Sequence, residues 1–333
     1  MSGLKIAVFY ALEPWDIVGD EMLKRADVDQ IVPFGNICPE NIDDFDILIL
    51  GGGGKGLAPG DRDYDLSQKT CNFLRFFEEK KLYHKTVIWD QTDGEDLWEW
   101  ALERSIIYFK KSWRKPELPP KVHLLTWPLL DIYTNIPANL YEERDIDIGC
   151  YFGALGENRL AGRRGLMLKH IKNFDWGHTV VEFTNTLGGK YHGWQFWNNQ
   201  PMVGHRYNWW HVYMHYLRRT KIIFTGTGGD GFFGGDRRTA EALSSGALIF
   251  ADCAEIQMDP PFIHGKHLFF IDPQNMNETL NLAKSYLQNE KKEAREKIAN
   301  AGLSHALTYH RTKNYADYMI EKIKGALNDS KKI

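Results

Sequence analysis

The chain has 333 residues, 43% of them hydrophobic and 26% charged, and a formal net charge of −3. That length suggests two domains and that balance an ordinary soluble globular protein, without the basic field that grips a nucleic-acid backbone. No apolar run approaches the roughly 20 residues of a membrane-spanning helix.

The four cysteines (Cys38, Cys71, Cys150 and Cys253) lie far apart with no CxxC pair. This argues against a zinc site and suits a reducing compartment. The opening MSGLKIAVFY lacks the layout of a signal peptide and reads as a first strand, so a cytoplasmic protein is expected.

In chain order, apolar β-rich runs predict strands over 5–10, 30–34, 46–50, 86–90, 106–110 and 123–127. Helical spacing appears between them over 16–25, 66–81 and 94–104. Near-continuous apolar strands alternating with helices indicate a parallel sheet covered on both faces. Residues 1–127 are therefore expected to form a Rossmann-like domain, and the Pro-bearing, weakly periodic 128–143 a linker.

The same pattern then restarts. Strands are expected over 147–153, 179–183, 221–225, 247–251 and 268–272, and helices over 164–173, 205–218, 236–245, 277–287 and 290–305. This makes 144–312 a second Rossmann-like domain, with a closing helix in 313–333 expected to cross back to the first. The predicted fold class is α/β: two doubly wound domains facing a cleft between the carboxyl ends of their strands, where such sheets bind ligands.

One stretch of the second half stands out. The strand KIIFT runs into GTGGDGFFGGD, a loop with six glycines, and then into the helix RRTAEALSSGA. Asp236 is a good N-cap, which puts Arg237, Arg238 and Thr239 in the first turn, where the helix dipole disfavours cations. An arriving anion resolves that conflict: Gly234, Gly235 and the helix N–H groups supply donors, and the arginines supply charge. The alternative is a solvated Arg237–Glu241 pair at i,i+4, in the poorer order and worth only about 0.3 kcal/mol. No Gly-Lys-Ser/Thr follows, so the loop is not a Walker motif. A second such arrangement, GALGENRLAGRRG, places Arg159, Arg163 and Arg164 past a strand end and at a helix start, either as a second anion grip or as a solvated cluster.

R-x-x-E-A-L-x-x-G-A-L-I-F-A-D, followed by FIDPQNMNETLNLAKSYL and REKIANAGLSHALTYHRTKNYADYMIEKI, resembles the donor domain of GT-B glycosyltransferases. It is most similar to the group 1-like and CgeB-like (spore-maturation) branch and is loosely exostosin-like. RDIDIGCYFGALGENRLAGRRGLML resembles the first strand and loop of that domain, so the likeness covers roughly residues 144–325. It implies a nucleoside-diphosphate sugar as donor and a glycan or small molecule as hydroxyl acceptor, with Glu241 on the ribose hydroxyls and Arg238 on the diphosphate. Retaining group 1 enzymes usually carry a second glutamate eight positions earlier, and here that position is Phe233. An inverting, metal-free reaction is therefore expected, with fixed arginines at the leaving diphosphate and no cofactor; a retaining transferase is the alternative.

An inverting transferase needs a carboxylate base. TVIWDQTDGEDLWEW ends a strand with Asp90 and continues to Asp93, and these two are the candidates; Asp93 could instead cap the next helix. FDILILGGGGKG is a weak phosphate loop or a crossing loop, and Glu13 or Asp16 could contribute to acceptor binding. Among the aromatics of 190–218, Tyr191 and Trp194 are candidates for stacking on a base or sugar. His211 and His215, at i,i+4, lack a third ligand and read as packing or surface residues, so no metal site is expected. A dehydrogenase or epimerase would need GxGxxG after the first strand, where FYALEPWDIVG stands. A module that senses sugar nucleotides without turnover fits the same binding residues.

Overall fold

A computed structural model describes residues 3–9, 15–35, 40–51, 72–90, 97–111, 113, 117–125, 128–129, 144–150, 163–176, 181–183, 214, 216–226, 237–252 and 260–330. The chain divides into two compact units. One comprises Met1–Trp127 with Thr312–Ile333, and the other Pro128–Arg311. Both are α/β with an all-parallel sheet, so the chain holds two Rossmann-like, doubly wound domains.

The first unit's sheet is built from β1 (Leu4–Phe9), β2 (Val28–Gly35), β3 (Ile47–Gly51), β4 (Thr86–Asp90), β5 (Ile107–Lys110) and β6 (Val122–Leu124). Its strand order is β2-β1-β3-β4-β5-β6. Every residue of β3, β4 and β5 is buried, which is why these runs lack polar alternation. Even positions of β3 and β4 and the facing Tyr108 pack on one side against α2 (72–79), through Phe73, Leu74 and Phe77, and against Ala101 of α3 (Glu99–Glu103). Helices α1 (Trp15–Leu23) and α8 (Thr312–Ser330) pack against each other on this unit, with the Tyr318 ring against Phe109 of β5.

The second unit's sheet contains β7 (Ile146–Cys150), β8 (Val181–Phe183), β9 (Thr220–Gly226), β10 (Leu248–Asp252) and β11 (Phe269–Phe270). Its order is β11-β10-β9-β7-β8. The strands alternate between two cores. Ile222, Phe224, Leu248 and Phe250 face α4 (Arg163–Asn173) and α6 (Met276–Leu287) through Met167, Ile171 and Leu280. Ile223 and Ile249 face α5 (Arg237–Ser244) and α7 (Lys292–Tyr309) through Leu243 and Ala306. Gly246, at φ +68°, follows α5 in the left-handed region that favours glycine, and Arg144 donates to the Ser245 carbonyl just past that helix and to the Thr220 carbonyl at the start of β9.

Several element lengths differ from the sequence reading: the helix expected over 94–104 is helical over Glu99–Glu103, the strand expected over 30–34 runs over Val28–Gly35 and the one expected over 123–127 over Val122–Leu124, and two further differences have a local cause. The strand expected over 268–272 keeps only Phe269–Phe270, because the Asp272 carboxylate accepts the Gln274 N–H at 3.1 Å and turns the chain towards α6. The helix expected to end at residue 305 runs to Tyr309, because residues 306–309 include no glycine or proline to stop it. Among the described residues no helix is long and apolar enough to cross a membrane.

Candidate functional site

In the second sheet the strand order reverses between β7 and β9, which pair directly with Cys150 opposite Phe224. In an open parallel sheet the connections leave such a pair towards opposite faces, and the crevice outside their carboxyl ends is where ligands bind. The chain after β7 leads to α4 on one face, and the chain after β9 leads to α5 on the other. These are the two helices whose first turns hold Arg163–Arg164 and Arg237–Arg238. Neither first turn contains an acidic residue. The two cationic helix starts thus follow neighbouring strand ends at the switch point. The side chains of these four arginines lie outside the described residues, as do Gly234, Gly235, Tyr191, Trp194, Asp93, Arg159, His211 and His215.

Along α5 and at the carboxyl ends of β9 and β10 are buried polar groups: Thr225 near the end of β9, Thr239 and Glu241 in α5, and Asp252 at the end of β10. The hydroxyls of Thr225 and Thr239 pair at 3.2 Å, tying the first turn of α5 to the strand that precedes it. Thr239 therefore holds the helix in place. Glu241 is 0% exposed, so it is not half of a solvated pair with Arg237. A carboxylate is expensive to withdraw from water unless polar partners receive it. Its place one turn into α5, under the switch point, makes it a candidate acceptor for ligand hydroxyls.

Sequence reasoning missed Thr225 and Asp252. Asp252 ends the apolar run LIFAD and lies opposite Gly226 in the register, a position that pattern alone does not mark as part of a site.

In the first unit, Asp90 is the last residue of β4 and is fully buried. Its Oδ2 accepts the Tyr108 hydroxyl at 2.5 Å and the Lys110 ammonium at 2.9 Å. Asp90 and Lys110 are cross-strand partners, and both side chains are 0% exposed. Burial first, and the Asp90 charge second, push the Tyr108 phenol well above its usual value, which keeps it a proton donor. A carboxylate so engaged is poorly placed to deprotonate a substrate hydroxyl. Among the described residues no group of three or more His, Cys, Asp or Glu side chains is arranged to hold a metal ion.

Two Rossmann-like domains in one chain are the make-up of the GT-B fold, and comparison of the whole chain agrees with that fold. The structure is similar to a glycosyltransferase from Rickettsia africae ESF-5, with a TM-score of 0.55, 11% identity, and 98% of this chain and 99% of that one covered. It is also similar to an α1,3-fucosyltransferase, with a TM-score of 0.51, 11% identity, and 98% of this chain and 90% of that one covered. Residues 163–321, which contain both cationic helix starts, match the family model described as "Glycosyl transferase-like". No curated protein matches the chain.

Proposed function

We propose that this protein is a glycosyltransferase that moves a sugar from a nucleoside-diphosphate sugar to a hydroxyl of a glycan or small-molecule acceptor, with inversion and without a metal ion. The observation that carries this reading is the switch point of the second sheet. There α4 and α5, led by Arg163–Arg164 and Arg237–Arg238, follow the carboxyl ends of the adjacent strands β7 and β9. The family match over 163–321 supports sugar transfer by the same half of the chain.

In this reading the diphosphate lies between the two helix starts. Arg238 and Arg237 hold it with the N–H groups of Gly234 and Gly235 on one side, and Arg163 and Arg164 hold it on the other. Glu241 accepts the ribose hydroxyls, and the Thr225–Thr239 pair keeps α5 in position. Tyr191 and Trp194 are candidates for stacking on the base or sugar. Because Asp90 is occupied by Lys110 and Tyr108, Asp93 is the base. It takes the acceptor hydroxyl's proton as that oxygen bonds to the anomeric carbon. The bond from that carbon to the diphosphate oxygen breaks, and the arginines stabilise the charge that develops there.

A thermal-shift panel of UDP, GDP, ADP, dTDP and CMP sugars tests the binding half. A ligand at 100 times its Kd stabilises by about 2.7 kcal/mol. Release of nucleoside diphosphate on addition of an acceptor, with EDTA present, tests the chemistry. No shift with any sugar nucleotide overturns the reading, and tight binding without release across a broad acceptor panel makes the protein a sensor instead.

A further inference from the structure

Arg295 of α7 is 6% exposed, although residues 291–294 and 296–297 around it are exposed. It stands one turn before Ala299, on the helix face that packs into the core shared with α6. Its Nη1 donates to the Tyr286 carbonyl at 2.7 Å, in the last turn of α6. That bond uses one of the five N–H groups of a guanidinium, and among the described residues Arg295 has no other hydrogen bond and no ion pair. The nearby carboxylates already have cations of their own: Asp147 accepts Lys221 at 2.6 Å, and Glu296 faces Lys292 at 3.9 Å. Burial accordingly pushes the Arg295 guanidinium below its usual value, against a smaller pull from Glu296 and Asp147. A buried charge without a counter-charge is costly to keep.

A second cation comes to the same place. Lys291 ends the short 3-10 turn Asn289–Lys291 between α6 and α7. Its ammonium lies 5.3 Å from the centre of the Tyr286 ring and donates to Ser285 Oγ at 3.0 Å, and among the described residues it too has no ion pair. Arg295 therefore meets Tyr286 at its carbonyl and Lys291 meets it at its ring. Arg295 also belongs to the first turn of α7, where the helix dipole disfavours a cation and favours an anion. None of its nitrogens is both sealed from solvent and unpartnered, so a small solute can reach those left over.

We infer that Arg295 and Lys291 form a binding site for a phosphate group, carried by free phosphate or by a small phosphorylated molecule. The planar guanidinium offers paired N–H donors to two oxygens of such an anion, and a tetrahedral anion has further oxygens for an ammonium. Asp147, whose charge reaches Arg295, and its partner Lys221 are the second residues of β7 and β9. The site therefore lies towards the amino ends of these strands, at the other edge of the sheet from the switch point, and stands apart from the function proposed above.

The test is a phosphate titration of the full chain followed by thermal shift, with ionic strength held constant by NaCl. Phosphate is expected to stabilise the wild type where chloride does not. Arg295→Met keeps the length of the side chain without its charge. It should lose affinity for phosphate by about tenfold or more, while its Tm without phosphate stays at or above that of the wild type. Arg295→Lys keeps the charge but lacks the fork and should lose about fivefold, and Lys291→Gln, at an exposed position, about threefold. Arg237→Gln/Arg238→Gln, at the proposed donor site, should keep the phosphate-dependent shift. In that double variant, a sugar monophosphate that binds about tenfold more tightly than phosphate marks a phosphorylated molecule as the ligand, and equal binding marks free phosphate. A wild type without a phosphate-specific shift overturns the inference. So does a shift that Arg237→Gln/Arg238→Gln abolishes and Arg295→Lys leaves intact. An Arg295→Met protein that is less stable without phosphate yet keeps its full response to it would make Arg295 merely the cap of α6. If Arg295→Met does not fold, the Arg295→Lys and Lys291→Gln titrations decide.

Discussion

Gly302 of α7 lies so close to His267 that a Cβ at residue 302 would stand 2.2 Å from the His267 carbonyl oxygen. The obstacle is backbone, so no side-chain rotation relieves it. Gly302→Ala gains helix propensity of up to about 1 kcal/mol but must push α7 away from the 260–268 segment, an overpacking cost of about 1–3 kcal/mol. A net loss on the order of 1 kcal/mol is expected in urea unfolding. Gly325 of α8 is the control, because nothing lies within 4 Å of a Cβ there. Gly325→Ala should stabilise by about 0.5–1 kcal/mol. If both variants shift stability in the same direction, the close approach at Gly302 is not what the glycine serves.

Much of this architecture is legible in the sequence because burial on both faces writes itself as unbroken apolar runs. TVIWD at 86–90 is a strand with those bounds, and the restart of the pattern after residue 144 marks the second sheet. The arginine-led helix starts are legible for a different reason: cations in a first turn conflict with the helix dipole wherever they occur. Partnership between distant residues is not legible in this way. Lys110 lies 20 residues beyond Asp90, and only the β4–β5 register brings its ammonium onto that carboxylate, so Asp90 reads as an available base in the sequence and as a satisfied ion in the fold. Thr239 shows the same limit: the sequence puts its hydroxyl in the first turn of α5, and only the fold brings Thr225 of β9 beside it.

The closing helix is tied to the first unit by charge as well as packing. Arg25 donates to Asp27 at 2.8 Å and to Asp317 of α8, and Lys324 of α8 donates to the other Asp27 oxygen at 2.6 Å. Arg25 and Lys324 together hold the Asp27 carboxyl well below the usual carboxylate range, and Asp27 in turn raises Arg25. These side chains are a fifth to two-fifths exposed, so solvent screens them and each pair contributes modestly. Arg25→Ala is expected to cost about 1 kcal/mol in urea unfolding at low salt and clearly less in 1 M NaCl. A cost that does not change with salt would mean that packing of the arginine stem, rather than its charge, holds α8.

Glu241 should separate nucleotide recognition from anion binding. Glu241→Gln preserves shape but weakens acceptance of hydroxyl donors, while the helix starts that would hold a diphosphate remain. The affinity for the best sugar nucleotide is expected to fall about tenfold or more, equivalent to about 1.4 kcal/mol, with pyrophosphate binding unchanged. Because the carboxylate is fully buried, an unfolding curve belongs beside the titration. Equal losses for nucleotide and pyrophosphate would assign Glu241 to holding α5 rather than to the ribose.

The rings of His267, His305 and His310 gather beside Phe262, with His267 stacked on His305 at 4.3 Å and His310 at 5.2 Å from His305. Burial, and then the neighbouring histidine, push His267 down to about 4 and His310 down to about 3, while burial also lowers His305. Two backbone groups face them: the Pro260 carbonyl, 3.2 Å from His305 Nε2, and the Ile263 N–H, which donates to His267 Nδ1 at 3.1 Å and so favours its neutral ring; the Lys266 ammonium adds further repulsion. The His310 Nε2 is buried without a hydrogen-bond partner among the described residues. An unfolded chain takes up protons on these residues near pH 6.5, whereas in the fold His267 resists until about pH 4 and His310 until about pH 3. The unfolded state therefore binds more protons throughout that window. Stability must then fall as pH falls through it, by at most about 1.4 kcal/mol per pH unit for each histidine, and must be insensitive to these rings above about pH 7. Urea unfolding at a series of pH values should show this slope. His310→Phe, which can keep the stack on Phe262, should remove about one histidine's share of the slope and leave the neutral-pH side unchanged. An unaltered acid slope in that variant would exclude His310 as a source of the acid sensitivity.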